Sequence, residues 1–300
     1  MNLPPSSLPQ GPLLVGVSGG GDSMALLHLL LDAGHANRLT VATFNHNWSE
    51  FGSQSTAFVQ AFCHVYNLPF LTATGQGKPG SNAEAYARTE RHTWLQQQAQ
   101  NLGASIVLAH TQTDIAESFL MRAGKGSGAG GLAALQPQSL MNGVTYARPL
   151  LNASRQQLRD YLQSLGQAWL EDPDNESGGS QRARIRKLLP LLEEAGITAH
   201  GLAASAHAVA DAHEALSQSL QTIPVENPFP LENFRSQPIE INLRLILKLI
   251  QAIHPQESLP VRRSKRQSLL VRLQTEAQGH ATLAGVKFSW KNGQLVTQAE

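Results

Sequence analysis

Ser18-Gly19-Gly20-Gly21-Asp22-Ser23 is the run that decides the fold, because it lies between two apolar stretches, residues 13–17 and 24–31. The order predicts a strand, a tight loop and a helix. Three consecutive glycines let backbone N–H groups approach an anion without interference from a Cβ atom. The two serines add hydroxyl donors, and a helix turns its positive N-terminal end toward such a ligand. The run therefore predicts a phosphate-binding cradle.

Asp22 is the unusual member of this run. A carboxylate beside a polyphosphate repels it unless a divalent cation lies between them, so Asp22 is interpreted as a Mg²⁺-linked carboxylate or as a group that orients the pyrophosphate side. The run lacks the lysine of the GxxxxGK[ST] loop and the spacing of GxGxxG. The alternative is a glycine-rich turn that serves backbone geometry alone.

The first half of the chain predicts an α/β fold with a doubly wound, mostly parallel sheet. Short apolar runs predict strands, and stretches with helical spacing alternate with them. The strands are predicted at 13–17, 39–44, 68–72 and 106–109, and the helices at 24–31, 55–66 and 83–102. Ligands of such sheets bind at the carboxyl ends of the strands, where the glycine loop, Asn45-His46 and His110 would project.

The second half predicts a smaller, mainly helical domain. We place the boundary between residues 1–184 and 185–300. Ser154 and Gly166 bound a predicted helix, and residues 171–180 predict an active-site loop or hinge. Helical spacing covers 185–222, 239–253 and 264–274, four prolines between 224 and 238 predict a linker or extended segment, and alternation around Asn292-Gly293 predicts a terminal hairpin.

The composition is that of an ordinary globular protein, with 300 residues of which 41% are hydrophobic. No apolar run reaches the roughly 18 residues that a membrane-spanning helix needs. Residues 1–10 also lack the basic start of a signal peptide. We expect a cytoplasmic protein with no membrane partner. The single cysteine, Cys63, excludes an intrachain disulfide and is interpreted as buried helix filler.

The positive charge is unevenly placed although the formal net charge is only +1. Each of two late clusters is either a solvated helical face or a phosphate-binding stripe. The clusters are Arg182, Arg184, Arg186 and Lys187, and then Arg262, Arg263, Lys265, Arg266 and Arg272. Alternation in the first cluster predicts an extended segment that presents its three arginines to one side.

Six further segments stand in the order found in one family. They are Asn82-Ala83-Glu84-Ala85 with Ala87-Arg88-Thr89-Glu90-Arg91; His110 with Asp114, Glu117 and Ser118; Gly126-Ser127-Gly128 with Gly131-Leu132; Arg148-Pro149-Leu150-Leu151; Asp172-Pro173 with Asn175; and Arg182, Arg184 and Arg186 before Leu189-Pro190. The glycine run resembles the SGGxDS signature of PP-loop ATP pyrophosphatases. Over residues 13–192 the whole set resembles tRNA(Ile)-lysidine synthases.

This resemblance implies a PP-loop, adenine nucleotide α hydrolase-like fold and an ATP-dependent ligase. Such an enzyme adenylates C2 of the wobble cytidine in a tRNA(Ile) with a CAU anticodon, and the ε-amine of L-lysine then displaces AMP. ATP would lie on residues 18–23, with Mg²⁺ at Asp22. Contacts to the nucleotide or the target base are also expected from His46, His110 and Gly126-Ser127-Gly128.

The expected catalytic residues are Asp22, Asp114, Glu117 and Arg184. Asp114 and Glu117 are three apart in a helical stretch and so face one side, where they would bind the ammonium groups of lysine and one of them would accept a proton. The alternative is an acidic first helical turn favoured by the helix dipole. Arg184 and its neighbours would contact tRNA phosphate or the adenylate.

Alternatives stay open for the other expected site residues. Gly126-Ser127-Gly128 equally fits the end of a helix. Arg88 and Arg91 suit tRNA backbone contacts or pairing with nearby glutamates. His46 and His110 would each contact ATP or the base through a ring nitrogen, although a lone histidine is more often simply a packed or solvent-exposed residue.

The chain departs from the family pattern in three places. The first departure covers two positions, because Thr113 and Ile115 flank Asp114 where a second acid and a glutamine are usual. The second is Asn45, where an acid is usual, and the third is Ser49, in a place that often holds an arginine. A diverged PP-loop enzyme acting on another base or amine is therefore one alternative, and a catalytically weakened paralogue that binds ATP or RNA is another. Residues 262–272 would dock tRNA by analogy. The oligomeric state is open, with a homodimer among the alternatives.

Overall fold

The computed structural model describes residues 1, 3–4, 8–77, 83–172, 181–255 and 261–300. They form two compact units, Met1–Ser127 with Gly131–Val209, and Gly128–Gly130 with Ala210–Glu300. The division thus lies later than the expected boundary after residue 184, which falls inside a helix of the first unit. None of the described helices is both long and apolar enough to cross a bilayer.

The first unit is built on a six-stranded sheet with the order β3-β2-β1-β4-β6-β5. Its strands are β1 Leu13–Gly16, β2 Leu39–Asn45, β3 Phe70–Thr74, β4 Ser105–Leu108, β5 Gln138–Met141 and β6 Val144–Ala147. All neighbours pair in parallel except β5, which runs antiparallel to β6 at one edge. The predicted α/β class and the four predicted strands are confirmed, whereas β5 and β6 were not predicted.

Helices cover this sheet as the alternation of the sequence requires. They are α1 Gly21–Asp32, α2 Glu50–Val65, α3 Ala83–Leu102, α4 Gln112–Ala123, α5 Ala129–Leu132, α6 Arg155–Ser164, α7 Gln181–Glu194 and α8 Ala199–Gln221, with a short 3-10 helix at Ala36–Arg38. Helix α1 packs against α6 and is buried from Ser23 to Leu30, which fits its continuous apolar run. Ser154 begins α6 in a capping box with Gln157, as the sequence predicts for a helix start.

Residues beyond the expected boundary belong to the first unit because they share its core. Helix α7 packs against α4. Ala203 and Ala206 of α8 form a buried apolar cluster with Ile115 and Leu151. Since small alanines let α8 approach closely, burial of this cluster ties the first turns of α8 to the sheet-bearing unit. The boundary lies within α8, between Val209 and Ala210.

The second unit combines helices with an antiparallel sheet of the order β7-β10-β9-β8. Its elements are β7 Phe229–Pro230, α9 Asn233–Ser236, α10 Ile239–Ile253, α11 Arg263–Thr275, β8 Gly279–Leu283, β9 Val286–Lys291 and β10 Gln294–Ala299. The predicted hairpin is confirmed, because Asn292 and Gly293 join β9 to β10 with φ of 53° and 76°. The sheet also contains β7 and β8, which were not predicted.

Candidate nucleotide-binding and active site

The glycine run connects β1 to α1 as a closed loop. Gly19 has φ +75°, a conformation that favours glycine, and a Cβ there would lie 3.0 Å from the Ser55 Oγ. The Ser23 hydroxyl donates to the Gly20 carbonyl at 2.9 Å and accepts from the Ser18 N–H at 3.2 Å. Ser55 donates to the Ser18 carbonyl at 2.6 Å. The hydroxyls therefore fix the loop that the glycines shape.

A cavity of about 640 Å³ lies at the carboxyl ends of β1, β2 and β4. This volume is in the range of small-molecule sites. Members of the glycine run, residues 45–49 after β2 and His110 after β4 line it. The structure thus brings together Ser18, Gly20, Gly21, Asp22, Ser23, His46, His110 and Asp114. Gly19 lies against Ser55 and Val59.

Arg155, the first residue of α6, joins three carboxylates. Its Nε lies 3.1 Å from Asp22 Oδ2, its Nη2 lies 3.3 Å from Asp114 Oδ1, and its Nη1 lies 3.4 Å from Glu117 Oε1. Asp114 is held further by the N–H and hydroxyl of Thr111, at 2.8 and 2.9 Å, in the capping box of α4. The loop acid and the two acids of α4 therefore share one cation.

Glu117 is enclosed by arginines. Its side chain is 0% exposed, and it pairs with Arg182 at 2.9 Å, with Arg186 at 2.8 Å and with Arg155. Burial of an unpaired carboxylate is costly, so these cations are what allows Glu117 to lie there ionised. The side chain of Asp114 is 12% exposed and lines the cavity. The two acids share a side of α4 as predicted, but only Asp114 faces the cavity.

The expectation of an extended segment at Arg182–Arg186 is wrong, because these residues form the first turns of α7. Residues four apart share a helix face, so Arg182 and Arg186 both reach Glu117. Arg184 lies two positions on, where it faces another direction and is exposed. Among the described residues the cavity is lined by Arg182 and Arg186 but not by Arg184. The catalytic role expected of Arg184 stays a prediction.

Asp22 and Asp114 share Arg155, but their pKa values shift in opposite directions. Burial raises the pKa of Asp22, and the neighbouring Asp114 adds to this, against the opposing effect of Arg155. Burial alone would also raise the pKa of Asp114, but Arg155, His110 and the Thr111 N–H together hold it below its ordinary value. Asp114 is therefore the more firmly ionised of the two.

His46 and His110 are held neutral. Burial lowers the pKa of His46 to about 4 and that of His110 to about 3, with nearby arginines acting in the same direction. Their Nδ1 atoms are buried and have no hydrogen-bond partner among the described residues. A buried polar atom without a partner is unusual in a folded protein. Both rings line the cavity, so each is suited to hydrogen-bond a ligand that enters it.

Arg88 and Arg91 of α3 also line the cavity. Burial, together with the charges of Arg88 and Arg182, lowers the pKa of Arg91 to about 10, so Arg91 remains a cation at neutral pH. Glu90 accepts from the Gln76 N–H at 3.1 Å, and the side chain of Glu84 lies outside the described part of the chain. Arg91 is therefore a cavity cation, consistent with anion binding.

Gly126-Ser127-Gly128 lies at the end of α4. Gly126 has φ +67°, and the Gly126 and Ser127 N–H groups donate to the carbonyls of Ala123 and Arg122. The helix-ending alternative therefore describes this segment. None of the three residues is among the described lining of the cavity, so their expected part in binding a nucleotide or base stays a prediction. Gly128 belongs to the second unit, against Arg263.

Sequence reasoning missed Arg155. One signal was present, because a cation in the first turn of a helix is opposed by the helix dipole and therefore needs an acidic partner elsewhere. Other expected segments fall partly outside the described residues, namely Asn82 and residues 173–175. Asp172, the last described residue before that gap, lines the cavity.

Asp22 is the described residue whose carboxylate would contact a magnesium ion, through its exposed face. That carboxylate is 27% exposed and lines the cavity beside the glycine loop. Within the described parts of the chain, no three acidic, histidine or cysteine side chains lie close enough to hold a metal ion by themselves. Because Mg²⁺ keeps several waters and binds through one or two carboxylates plus substrate phosphates, Asp22 and a bound nucleotide would together supply its ligands.

Comparison with known proteins agrees with this geometry. Residues 4–192 match the family model of the PP-loop domain. A U34-tRNA thiolase of Methanococcus maripaludis has the same fold, with a TM-score of 0.55 at 17% identity over 72% of this chain and 74% of that one. The loop, the sheet and the cavity define a PP-loop ATP-binding protein.

Curated relatives narrow the assignment. A tRNA(Ile)-lysidine synthase of Ruegeria pomeroyi is 38% identical over 82% of this chain and 61% of its own length. One of a Bradyrhizobium species is 32% identical over 92% of this chain and 81% of its own. The chain belongs to the tRNA(Ile)-lysidine synthase family. It spans about three fifths of the length of the Ruegeria protein.

Proposed function

We propose that this protein is a ligase that uses ATP to adenylate C2 of the wobble cytidine of a CAU-anticodon tRNA(Ile), and then joins L-lysine there with release of AMP and pyrophosphate. The observation that carries the proposal is the cavity in which the glycine loop and Asp114 meet through Arg155. The names of the relatives support the choice of reaction.

The nucleotide half of the site is the loop with the start of α1. Backbone N–H groups and the helix N-terminus would hold the phosphates, while the Ser23 hydroxyl, bonded to the Ser18 N–H and the Gly20 carbonyl, keeps the loop in shape. Mg²⁺ at Asp22 would supply charge stabilisation for the departing pyrophosphate. The neutral rings of His46 and His110 offer nitrogen atoms to the nucleotide or the cytidine.

The lysine half is Asp114. Its ionised carboxylate suits a cationic amine, and its lowered pKa makes it a better binding group than proton acceptor. The attacking amine must be neutral, so the proton would leave to another acceptor. Glu117, on the same side of α4, pairs with Arg155, Arg182 and Arg186 rather than with a ligand.

Contacts to RNA would come from arginines of the cavity and, separately, from basic residues of the second unit. Arg91 is one of the cavity cations suited to a phosphate. In the second basic cluster, several members have internal roles: Arg263 pairs with Glu240, Arg266 donates to the Leu243 carbonyl, and Arg272 pairs with Glu276. Arg262 and Lys265 are exposed. We therefore assign tRNA docking on α11 to these two residues.

The test is to incubate the protein with ATP, Mg²⁺, an unmodified CAU-anticodon tRNA(Ile) and labelled lysine, and to analyse the nucleosides by mass spectrometry. A lysine-sized mass increase on the wobble cytidine is expected, together with its loss in Asp22→Asn. ATP cleavage without lysine transfer would contradict the proposal in favour of another amine or RNA base. Absence of cleavage would favour a paralogue that only binds ATP or RNA.

A further inference from the structure

Arg155 uses every edge of its guanidinium on an acid. The Nε, Nη1 and Nη2 atoms contact Asp22, Glu117 and Asp114 at 3.1, 3.4 and 3.3 Å. Two of these acids are the ones to which the proposed function gives cations, Mg²⁺ at Asp22 and the lysine ammonium at Asp114. The guanidinium thus contacts both carboxylates to which the proposed function assigns cations, and it covers the Asp114 Oδ1 that a lysine ammonium would use.

Glu117 does not depend on Arg155 as the other two acids do. Arg182 and Arg186 lie nearer to it, at 2.9 and 2.8 Å. The structure assigns no comparable second ion pair to Asp22 or Asp114 among the described residues. Departure of the guanidinium would therefore leave Glu117 neutralised and would free the two cavity acids.

An incoming nucleotide offers Arg155 another partner. The Arg155 side chain is 21% exposed and lines the same cavity as the glycine loop. A guanidinium binds phosphate oxygens in a bidentate manner, and a polyphosphate carries more negative charge than a single carboxylate. ATP on the loop would thus compete with Asp114 for Arg155.

We propose that Arg155 is a positioning residue that blocks the ammonium site on Asp114 until ATP draws its guanidinium onto the phosphates. This inference rests on the proposed function, because it takes ATP and lysine as the ligands. Its consequence is ordered binding, in which lysine gains affinity once the nucleotide is present. Such a gain is a coupling between two sites and is reciprocal.

The test measures lysine binding by calorimetry, with and without Mg²⁺ and α,β-methylene ATP, which cannot be cleaved between its α and β phosphates. The wild-type protein is expected to bind lysine about tenfold more tightly with the analogue, within the usual 5- to 150-fold range of such couplings. Equal lysine affinity in the two conditions, or no lysine binding in either, would overturn the inference even if the enzyme makes lysidine.

Variants separate this role from a structural one. Arg155→Met is expected to bind lysine equally with and without the analogue. Arg155→Lys, which keeps a charge but cannot bridge three acids, is expected to retain part of the coupling. Arg38→Met is the matched control, because Arg38 donates to the Pro9 and Gly11 carbonyls and is not among the described cavity residues.

The outcomes distinguish the two proposals. Loss of lysine binding in Arg155→Met that Arg155→Lys restores would overturn the block and show that Arg155 holds the site together. A wild-type protein that transfers no lysine to tRNA would overturn the proposed function, and this inference with it. A protein that makes lysidine while Arg155→Met keeps the full coupling would overturn this inference alone.

Discussion

Glu117→Gln should destabilise the first unit by several kcal/mol. The side chain is fully buried between three arginines, and the amide replaces one accepting oxygen with an NH₂ group that cannot accept. Removal of one partner from a buried ion pair costs about 3–5 kcal/mol. The arginine side chains are 21–30% exposed, so water recovers part of this cost. We expect a loss of about 2–4 kcal/mol.

The assay is urea denaturation at pH 7 followed by circular dichroism, with thermal unfolding as a second measurement. A loss of about 3 kcal/mol corresponds to a decrease in Tm of roughly 6–12 °C for a unit of this size. The matched control is Glu171→Gln, because Glu171 pairs with Arg159 at 2.9 Å while both side chains are largely exposed. Exposed pairs contribute about 0–1 kcal/mol.

The comparison of these two variants can refute the reasoning. If Glu117→Gln and Glu171→Gln lose the same small amount of stability, the buried cluster does not stabilise the fold. The small loss of stability measured in Glu117→Gln would then come from other contacts of α4. A large loss in Glu117→Gln alone supports the network as described.

Three further predictions concern charge. Asp22→Asn should abolish lysidine formation yet raise stability at pH 7, because the raised pKa of the Asp22 carboxyl means that folding disfavours its ionised form. Urea titrations should show this gain vanishing below about pH 4, where the carboxyl is protonated in both the folded and the unfolded state. The wild type should lose stability as the pH falls from about 6.5 to 4, because the neutral buried rings of His46 and His110 bind protons only on unfolding. His46→Gln and His110→Gln should each make this loss smaller, and thermal melts across that range test this. Arg262→Ala with Lys265→Ala should weaken tRNA binding and lower its salt dependence in filter binding, and an unchanged salt slope would contradict docking there.

The sequence predicted those elements whose cause is local. The strand-loop-helix order around the glycine run and the β9–β10 hairpin follow from the apolar pattern, glycine conformation and the Asn-Gly turn. The edge strands β5 and β6 were missed although Asn142-Gly143, with φ of 50° and 75°, repeats that turn signal. These two strands are short and partly exposed, and their sequences show little alternation of apolar and polar residues.

The sequence singled out most of the residues that the cavity brings together, but not Arg155, the cation that joins its acids. Asp22, Asp114 and Glu117 stand out as acids in motifs, but the arginine that joins them comes from α6, and its partners are set by how α6 packs on α1. The alternation Arg182-Ala-Arg184-Ile-Arg186 pointed to an extended segment. From Ala183 onward the apolar residues are spaced as in a helix, and the alternation of the arginines obscured this signal. In the structure Ala183 of α7 is buried.

Asn45 departs from the family pattern in charge but not in shape. A Cβ added to Gly52 would clash with the Asn45 Oδ1, so α2 approaches this side chain as closely as glycine permits. The same oxygen accepts the Asn47 N–H at 2.8 Å, a bond that an aspartate could also accept. The surroundings of residue 45 therefore accommodate an asparagine or an aspartate side chain. With asparagine at this position the local packing is unchanged, and the cavity presents one negative charge fewer to an incoming polyphosphate.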